Sequence, residues 1–283
     1  MMRYRTRQTI GKVAYHVCVC LIGFVMIYPL LWMLMSSFKE SATIFRTVED
    51  LFPERFTLEN YSNGWRGFGG VSFATFFKNS LIVTVTATIG AVLSSALVGY
   101  GFSRCRFRMG KFLFGCMLVS MMLPFQIVMI PQYILFNQLG WVGTYLPLIV
   151  PYFFGQGFFI FMIKQFIDGI PRELDDAAKI DGCSYYMIFL RIILPLAVPA
   201  CVTSAIFSFM WRWDDFLSSL LYLNAPSKYT VSYALKLFCD PSSSSDYGAM
   251  FAMAILSIVP IVTIFIFFQK YLVEGISTSG LKG

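Results

Sequence analysis

Residues 170–195 read IPRELDDAAKIDGCSYYMIFLRIILP. The part from Glu173 to Gly182 holds Glu173, Asp175, Asp176 and Asp181, four of the fifteen acidic residues in a chain that is 57% hydrophobic. Local chemistry predicts a short helix here. Pro171 suits a first turn, where its missing N–H costs nothing, and Glu173, Asp175 and Asp176 then fall where the helix dipole favours anions. Asp175 and Lys179 form an i,i+4 pair of the favourable polarity. Leu174, Ala177, Ala178 and Asp181 share one face, whose alanines admit another surface closely. Gly182 supplies a left-handed C-terminal stop. A second helical stretch, Ser184–Leu194, then runs into Pro195. Dipole-matched acids alone describe an ordinary helical hairpin, so the meaning of the segment depends on what it faces.

Outward from this stretch the chain is apolar. A mean hydropathy of +0.69 with 13% charged residues excludes an ordinary soluble domain. A bilayer core about 30 Å thick is crossed by about 20 apolar residues in a helix. Six runs qualify: residues 13–35, 77–102, 112–129, 145–163, 192–222 and 249–268. The fold class is therefore an all-α membrane protein with six transmembrane helices. The fourth run is interrupted by Pro151, Gly155 and Gly157, which spans tolerate where neighbours cover the freed backbone groups. The fifth is long and carries charge, and is expected to be tilted or broken. The first follows basic residues but exceeds a signal h-region and precedes no A-x-A site, so it reads as a retained span.

Lys and Arg set the orientation. With the N-terminus inside, the inner segments hold Arg3, Arg5, Arg7, Lys12, Arg104, Arg106, Arg108, Lys111, Lys164, Arg172, Lys179, Arg191, Lys270 and Lys282. The longer outer segments hold only Lys39, Arg46, Arg55, Arg66, Lys78, Lys228 and Lys236. Both termini are thus cytoplasmic, and the net charge of +7 reflects this bias and not a nucleic-acid surface. Residues 164–191 then form a cytoplasmic loop. The outer loop of residues 36–76 mixes turn residues with Phe and Leu, predicting a folded cap of short helices, and Asn224–Gly248 predicts an exposed excursion with its tip at Ser242–Ser245. The seven scattered cysteines suggest small packing residues, with no disulfide framework and no metal site.

The spacing in the opening stretch is D-A-A (Asp176, Ala177, Ala178), three residues, Gly182, nine residues, then Ile192-x-Leu194-Pro195. This resembles the EAA loop of binding-protein-dependent ABC importer permeases, E-A-A-x3-G-x9-I-x-L-P. Asp176 stands where that family usually has Glu, which keeps the charge and shortens the reach by one methylene. FTLENY at residues 56–61, LPFQIVMIPQYILFNQLG from Leu123 and YLVEGISTSGLKG at the end are similar to the carbohydrate subfamily, particularly the smaller membrane subunit of the maltodextrin type. WDDF at residues 213–216 stands where that subfamily shows W-N-[ED]-F, so Asp214 departs from it.

The resemblance implies a type I ABC importer transmembrane domain in the bacterial cell membrane. Residues 1–283 would form one permease domain, with a five-span core at about 72–272 and a coupling loop at 168–191. It implies as partners a second, different permease subunit, a dimer of cytoplasmic ATPase subunits, an extracytoplasmic solute-binding protein and membrane lipid. Asp176, Ala177, Ala178, Gly182, Ile192, Leu194 and Pro195 carry over as the loop that seats in the ATPase and passes its motion into the membrane. The chain lacks a G-x-x-x-x-G-K-[ST] phosphate loop; Gly110-Lys111 is followed by Phe112 and has no upstream glycine at the right spacing. No cofactor is expected on this chain, ATP–Mg belonging to the partner ATPase, and the chain is no enzyme.

Two other chemistries fit parts of the chain. Asp175-Asp176 resembles a metal-holding diphosphate motif, but D-D-x-x-D fails at Lys179. Arg212, Asp214 and Asp215 in the fifth run suit either an ion-coupled secondary transporter, a solute path, or an ionic cluster at the outer interface. A sugar path wants polar and aromatic groups, for which Asn79, Gln126, Asn137, Trp213, Asp214 and Asp215 are the candidates.

Overall fold

Backbone that leaves water must satisfy its own N–H and C=O groups, which favours helices along the apolar runs. The computed structural model describes residues 2–46, 50–239 and 246–280, with side chains over 11–46, 50–239 and 246–271. The helices are α1 (Met2–Ser36), α2 (Glu59–Arg66), α3 (Phe73–Arg104), α4 (Gly110–Met121), α5 (Phe125–Gln138), α6 (Leu146–Ile149) and α7 (Gly157–Asp168). They continue as α8 (Glu173–Ile180), α9 (Tyr185–Ile188), α10 (Leu194–Leu196), α11 (Val198–Trp213), α12 (Phe216–Tyr222), α13 (Val231–Leu237) and α14 (Tyr247–Gly280). No β-strand forms among the described residues. The excursion tip Ser242–Ser245 lies outside them.

Among the described residues, four segments are long and apolar enough to cross a membrane: Gly11–Ser36, Phe73–Arg104, Leu146–Asp168 and Tyr247–Tyr271. Two bent pairs bring the number to six if each is one span. The third run, residues 112–129, falls on the first pair, α4 and α5, which are bent by 100° at their junction. Pro124 causes the break. It disfavours the helical region at Leu123 and itself stands extended, with ψ 140°. The fifth run breaks as expected, with a 74° bend between Tyr185–Leu196 and α11. It also ends early, at Trp213, and α12 begins afresh after Asp214 and Asp215.

The chain divides into two compact units, Met1–Gly70 with Leu235–Leu256 and Val71–Ala234 with Ser257–Gly283. In the first, the outer loop folds around Asn60, whose buried side-chain amide donates to the carbonyls of Ser37 (2.8 Å) and Lys39 (2.6 Å). Ser41 Oγ donates to Asp246 Oδ1 at 2.6 Å. Phe38 lies against Phe56 and Tyr61. Among the described residues of that loop, the expected cap of short helices contains one helix, α2, together with turns.

In the second unit α3 packs along α7 and α11. Its Ser94 and Ser95 repair the break in the fourth span. Beyond the 3-10 turn Val150–Phe154, Gly155 takes a φ of +83°, and α7 restarts the helix at Gly157. The freed N–H groups of Gly155 and Gln156 donate to Ser94 Oγ and Ser95 Oγ, each at 3.0 Å. Gly90 of α3 makes room for this turn, since a Cβ there would fall 2.4 Å from the Phe153 ring.

Candidate functional site

Helix α8 is built as its local sequence dictates, with Glu173, Asp175 and Asp176 in its first turn. Arg172 is the N-cap, so Pro171 sits one residue earlier than the first turn. The C-terminus closes as a Schellman motif: Cys183 N–H donates to Ala178 O (2.9 Å), and Gly182 N–H to Lys179 O (3.0 Å). Gly182 has the left-handed φ, +80°, that this turn requires.

The orientation of α8 differs from expectation. Asp175 and Ala178 face inward and are buried, while Glu173, Asp176, Ala177 and Ile180 point out together. The expected face of Leu174, Ala177, Ala178 and Asp181 is therefore split. Ala178 packs into the chain's own core with Ile163, Ile167, Ile188 and Ile193, and Ala177 is exposed. Ile180 is 87% exposed. It stands at the end of a charged helix outside the candidate spans, on the outward face with Ala177.

The two adjacent aspartates have different roles. Lys179 pairs with Asp176 at 2.9 Å, an i,i+3 contact, and not with Asp175 as expected. The hydrogen bond from Lys179, reinforced by its charge, holds the Asp176 carboxyl below its ordinary pKa, and the same bond raises that of Lys179. Asp175 meets Arg104 of α3 instead, Oδ2 to Nε at 2.9 Å, with side chains only 8% and 4% exposed. The approach lies off the N–H axis and leaves Arg104 Nε without a hydrogen-bond partner among the described residues; Asp175 Oδ1 also has none there. Arg104 Nη2 donates instead to Ile167 O (3.0 Å) and Ile170 O (2.7 Å).

The return helix starts at Ser184, whose Oγ accepts the Met187 N–H, and it widens into a π turn at Phe189–Ile193. Pro195 explains the widening. It has no N–H to offer Arg191 O, and the Leu194 N–H reaches back five residues to Phe189 O. Ile192 and Leu194 are partly buried against the core around Ile193, and Pro195 is exposed. These three lie just before the 74° bend into α11 and apart from the outward face of α8.

The candidate path residues separate. Asp214 and Asp215 line a cleft of about 340 Å³ with Phe125, Tyr152, Arg212 and Phe216. There Arg212 Nη1 is 3.0 Å from Asp215 Oδ2, hydrogen-bonds the Tyr152 hydroxyl and stacks its guanidinium 4.5 Å from that ring. Asp215 Oδ1 also accepts the Ser218 N–H, capping α12. Gln126 is exposed on α5 next to Phe125, and Asn137 is exposed near that helix's end. Trp213 and Asn79 are turned to packing. The Trp213 indole is 2% exposed, donates to Ser257 O at 3.0 Å and stacks on Phe209. Asn79 donates to Ser227 O (2.9 Å) and Tyr229 O (3.0 Å), fixing the outer segment to α3. Arg104, Ile180, Tyr152 and the Ser94-Ser95 pair were missed by sequence reasoning. Only Ile180, a large apolar residue in a charged helix, left a local signal.

The fold superposes on that in the crystal structure of a bacterial ABC transporter involved in the import of the acidic polysaccharide alginate, with a TM-score of 0.80 over 93% of this chain and 96% of that one. Identity there is 20%, so the likeness establishes the fold alone: that of an ABC importer's membrane subunit. Residues 91–278 match the model of the family described as binding-protein-dependent transport system inner membrane component. The chain is 35% identical over 280 residues to the probable ABC transporter permease protein YurM of Bacillus subtilis (strain 168), spanning 99% of this chain and 91% of that protein. It is 34% identical over 264 residues to the arabinooligosaccharides transport system permease protein AraQ of Halalkalibacterium halodurans, with 93% of each covered. The chain belongs to the binding-protein-dependent transport system inner membrane component family. It is a multi-pass inner-membrane transport subunit that works with a solute-binding protein.

Proposed function

We propose that this chain is the smaller of two different membrane subunits in an ATP-driven importer of neutral oligosaccharides. Helix α8 seats in a cleft on a cytoplasmic ATPase, which holds ATP–Mg, and a second permease subunit completes the path. The observation that carries this reading is the outward face of α8, where Ile180 stands 87% exposed beside Asp176 and Ala177 while Asp175 and Ala178 anchor the helix from behind. A helix displayed in this way fits an apolar and basic groove on a soluble protein. Relatives named for arabinooligosaccharide transport support a sugar cargo. The cleft beside Tyr152 supports a neutral one: Asp215 balances Arg212, and Asp214 leaves the lining negative, which disfavours an acidic sugar.

The purified chain is expected to hydrolyse no ATP, and chain isolated from its native membrane should carry an ATPase and a second permease with it. Isolation with neither would defeat the proposal. Arg212 and Asp215 would also suit an ion-coupled transporter, but they are paired with each other, and such a transporter leaves the display of α8 unexplained.

A further inference from the structure

We propose that Arg104 is a positioning residue that locks α8 to α3, so that displacement of α8 moves α3 as one body. The inference rests on α8 being the seat of the ATPase. Helix α8 has only eight residues, and Gly169 and Gly182 flank it. Its covalent connections alone would let it swivel. Three residues on one face of the last turns of α3, namely Tyr100, Ser103 and Arg104, prevent this. Arg104 faces Asp175 inside the protein, and its Nη2 holds Ile167 O and Ile170 O at the end of α7. Ser103 Oγ donates to Asp168 Oδ1 at 2.6 Å, and its carbonyl accepts from Arg172 Nη2 at 3.1 Å. The Tyr100 hydroxyl donates to Tyr185 O at 3.1 Å, beyond α8. The end of α3 thus grips the chain before, within and after the coupling helix.

The same helix leads elsewhere. At 32 residues α3 is about 48 Å long at 1.5 Å per residue. About two-thirds of the way along it, Ser94 and Ser95 hold the broken turn at Gly155 and Gln156. At its outer end Asn79 and Ser80 hold the segment around Ser227–Val231. A push on α8 therefore reaches the break in the fourth span through one rigid element. The Arg104–Asp175 pair is held by charge and not by hydrogen-bond direction, so Asp175→Asn, which keeps the shape and removes the charge, isolates its role.

The test is hydrogen exchange on the assembled transporter in lipid nanodiscs, with and without ATP–Mg and vanadate. Wild type should show nucleotide-dependent exchange both at residues 173–183 and at the Gly155 and Gln156 amides. In Asp175→Asn the change at 173–183 should persist, while that at Gly155 and Gln156 should shrink about tenfold, within the usual range of a coupling free energy. Arg104→Lys, which keeps the charge without the forked donors, should give an intermediate loss. Arg104→Met with Asp175→Leu, which replaces the pair by apolar packing, should behave like Asp175→Asn. A full-size effect at Gly155 in Asp175→Asn overturns the proposal. So does loss of both effects together in Asp175→Asn and the double variant, which would make the pair a structural tie only. Absence of any nucleotide effect at 173–183 in wild type would instead overturn the reading of α8 as the ATPase seat.

Discussion

Replacing Gly182 by alanine isolates one physical effect at the end of α8. A Cβ built on Gly182 meets nothing within 4 Å, so packing contributes nothing to the outcome. Its φ of +80° does. An L-residue in the left-handed region costs about 1–2 kcal/mol, and Gly182→Val should cost more because its branched side chain is stiffer. If the backbone escapes this strain by turning over, the two bonds that end α8, Cys183 N–H to Ala178 O and Gly182 N–H to Lys179 O, are lost. A helix of eight residues has little intrinsic stability with which to resist. One or two kcal/mol corresponds to about a five- to thirtyfold change in an opening equilibrium, so protection of amides 178–183 should fall by about that factor. Gly101→Ala is the control. Its Cβ also meets nothing within 4 Å, but it lies inside α3 with helical geometry, and alanine there should stabilise by about 0.5–1 kcal/mol. Hydrogen exchange on the solubilised chain reads both variants. Wild-type exchange at 178–183 in Gly182→Ala, or the same response in the two variants, would refute the reasoning.

Ser94→Ala with Ser95→Ala should strip the partners from Gly155 N–H and Gln156 N–H, at about 1–3 kcal/mol for each orphaned group, and lower Tm; an unchanged Tm would show that the broken turn does not depend on them. Asp176→Lys should abolish co-purification of the ATPase and Asp176→Ala should weaken it, with the chain still inserted, because Asp176 lies on the exposed face of α8. Full retention of the ATPase in Asp176→Lys would confine that acid to its local pair with Lys179.

Much of this architecture was legible in the chain because it depends on local physics. Long apolar runs make helices in lipid, and Glu173 through Gly182 spell a helix with a left-handed stop, whereas the break at Pro124 inside the third run was not read from the sequence. The choice between Asp175 and Asp176 was not legible. Both suit a helix N-terminus equally, and what separates them is Arg104, contributed by a different helix. The same holds for Ala177 and Ala178, since periodicity assigns faces to so short and mixed a helix without saying which points inward. Asn79 and Trp213 have the side chains a sugar site would use, yet their polar atoms satisfy carbonyls of the chain itself. Residue type states what a group can bond to, and only the packed fold determines what it meets. Ser94 and Ser95 are unremarkable in sequence; their purpose emerges once the fourth span breaks beside them.

In the proposed function, nucleotide hydrolysis on a partner, received at α8, drives the transport. Uptake of a labelled neutral oligosaccharide into vesicles holding the assembled transporter and its binding protein tests this directly. Accumulation should require ATP on the α8 side and should vanish without it, whatever proton gradient is imposed. Uptake driven by a proton gradient in the absence of ATP would contradict the account.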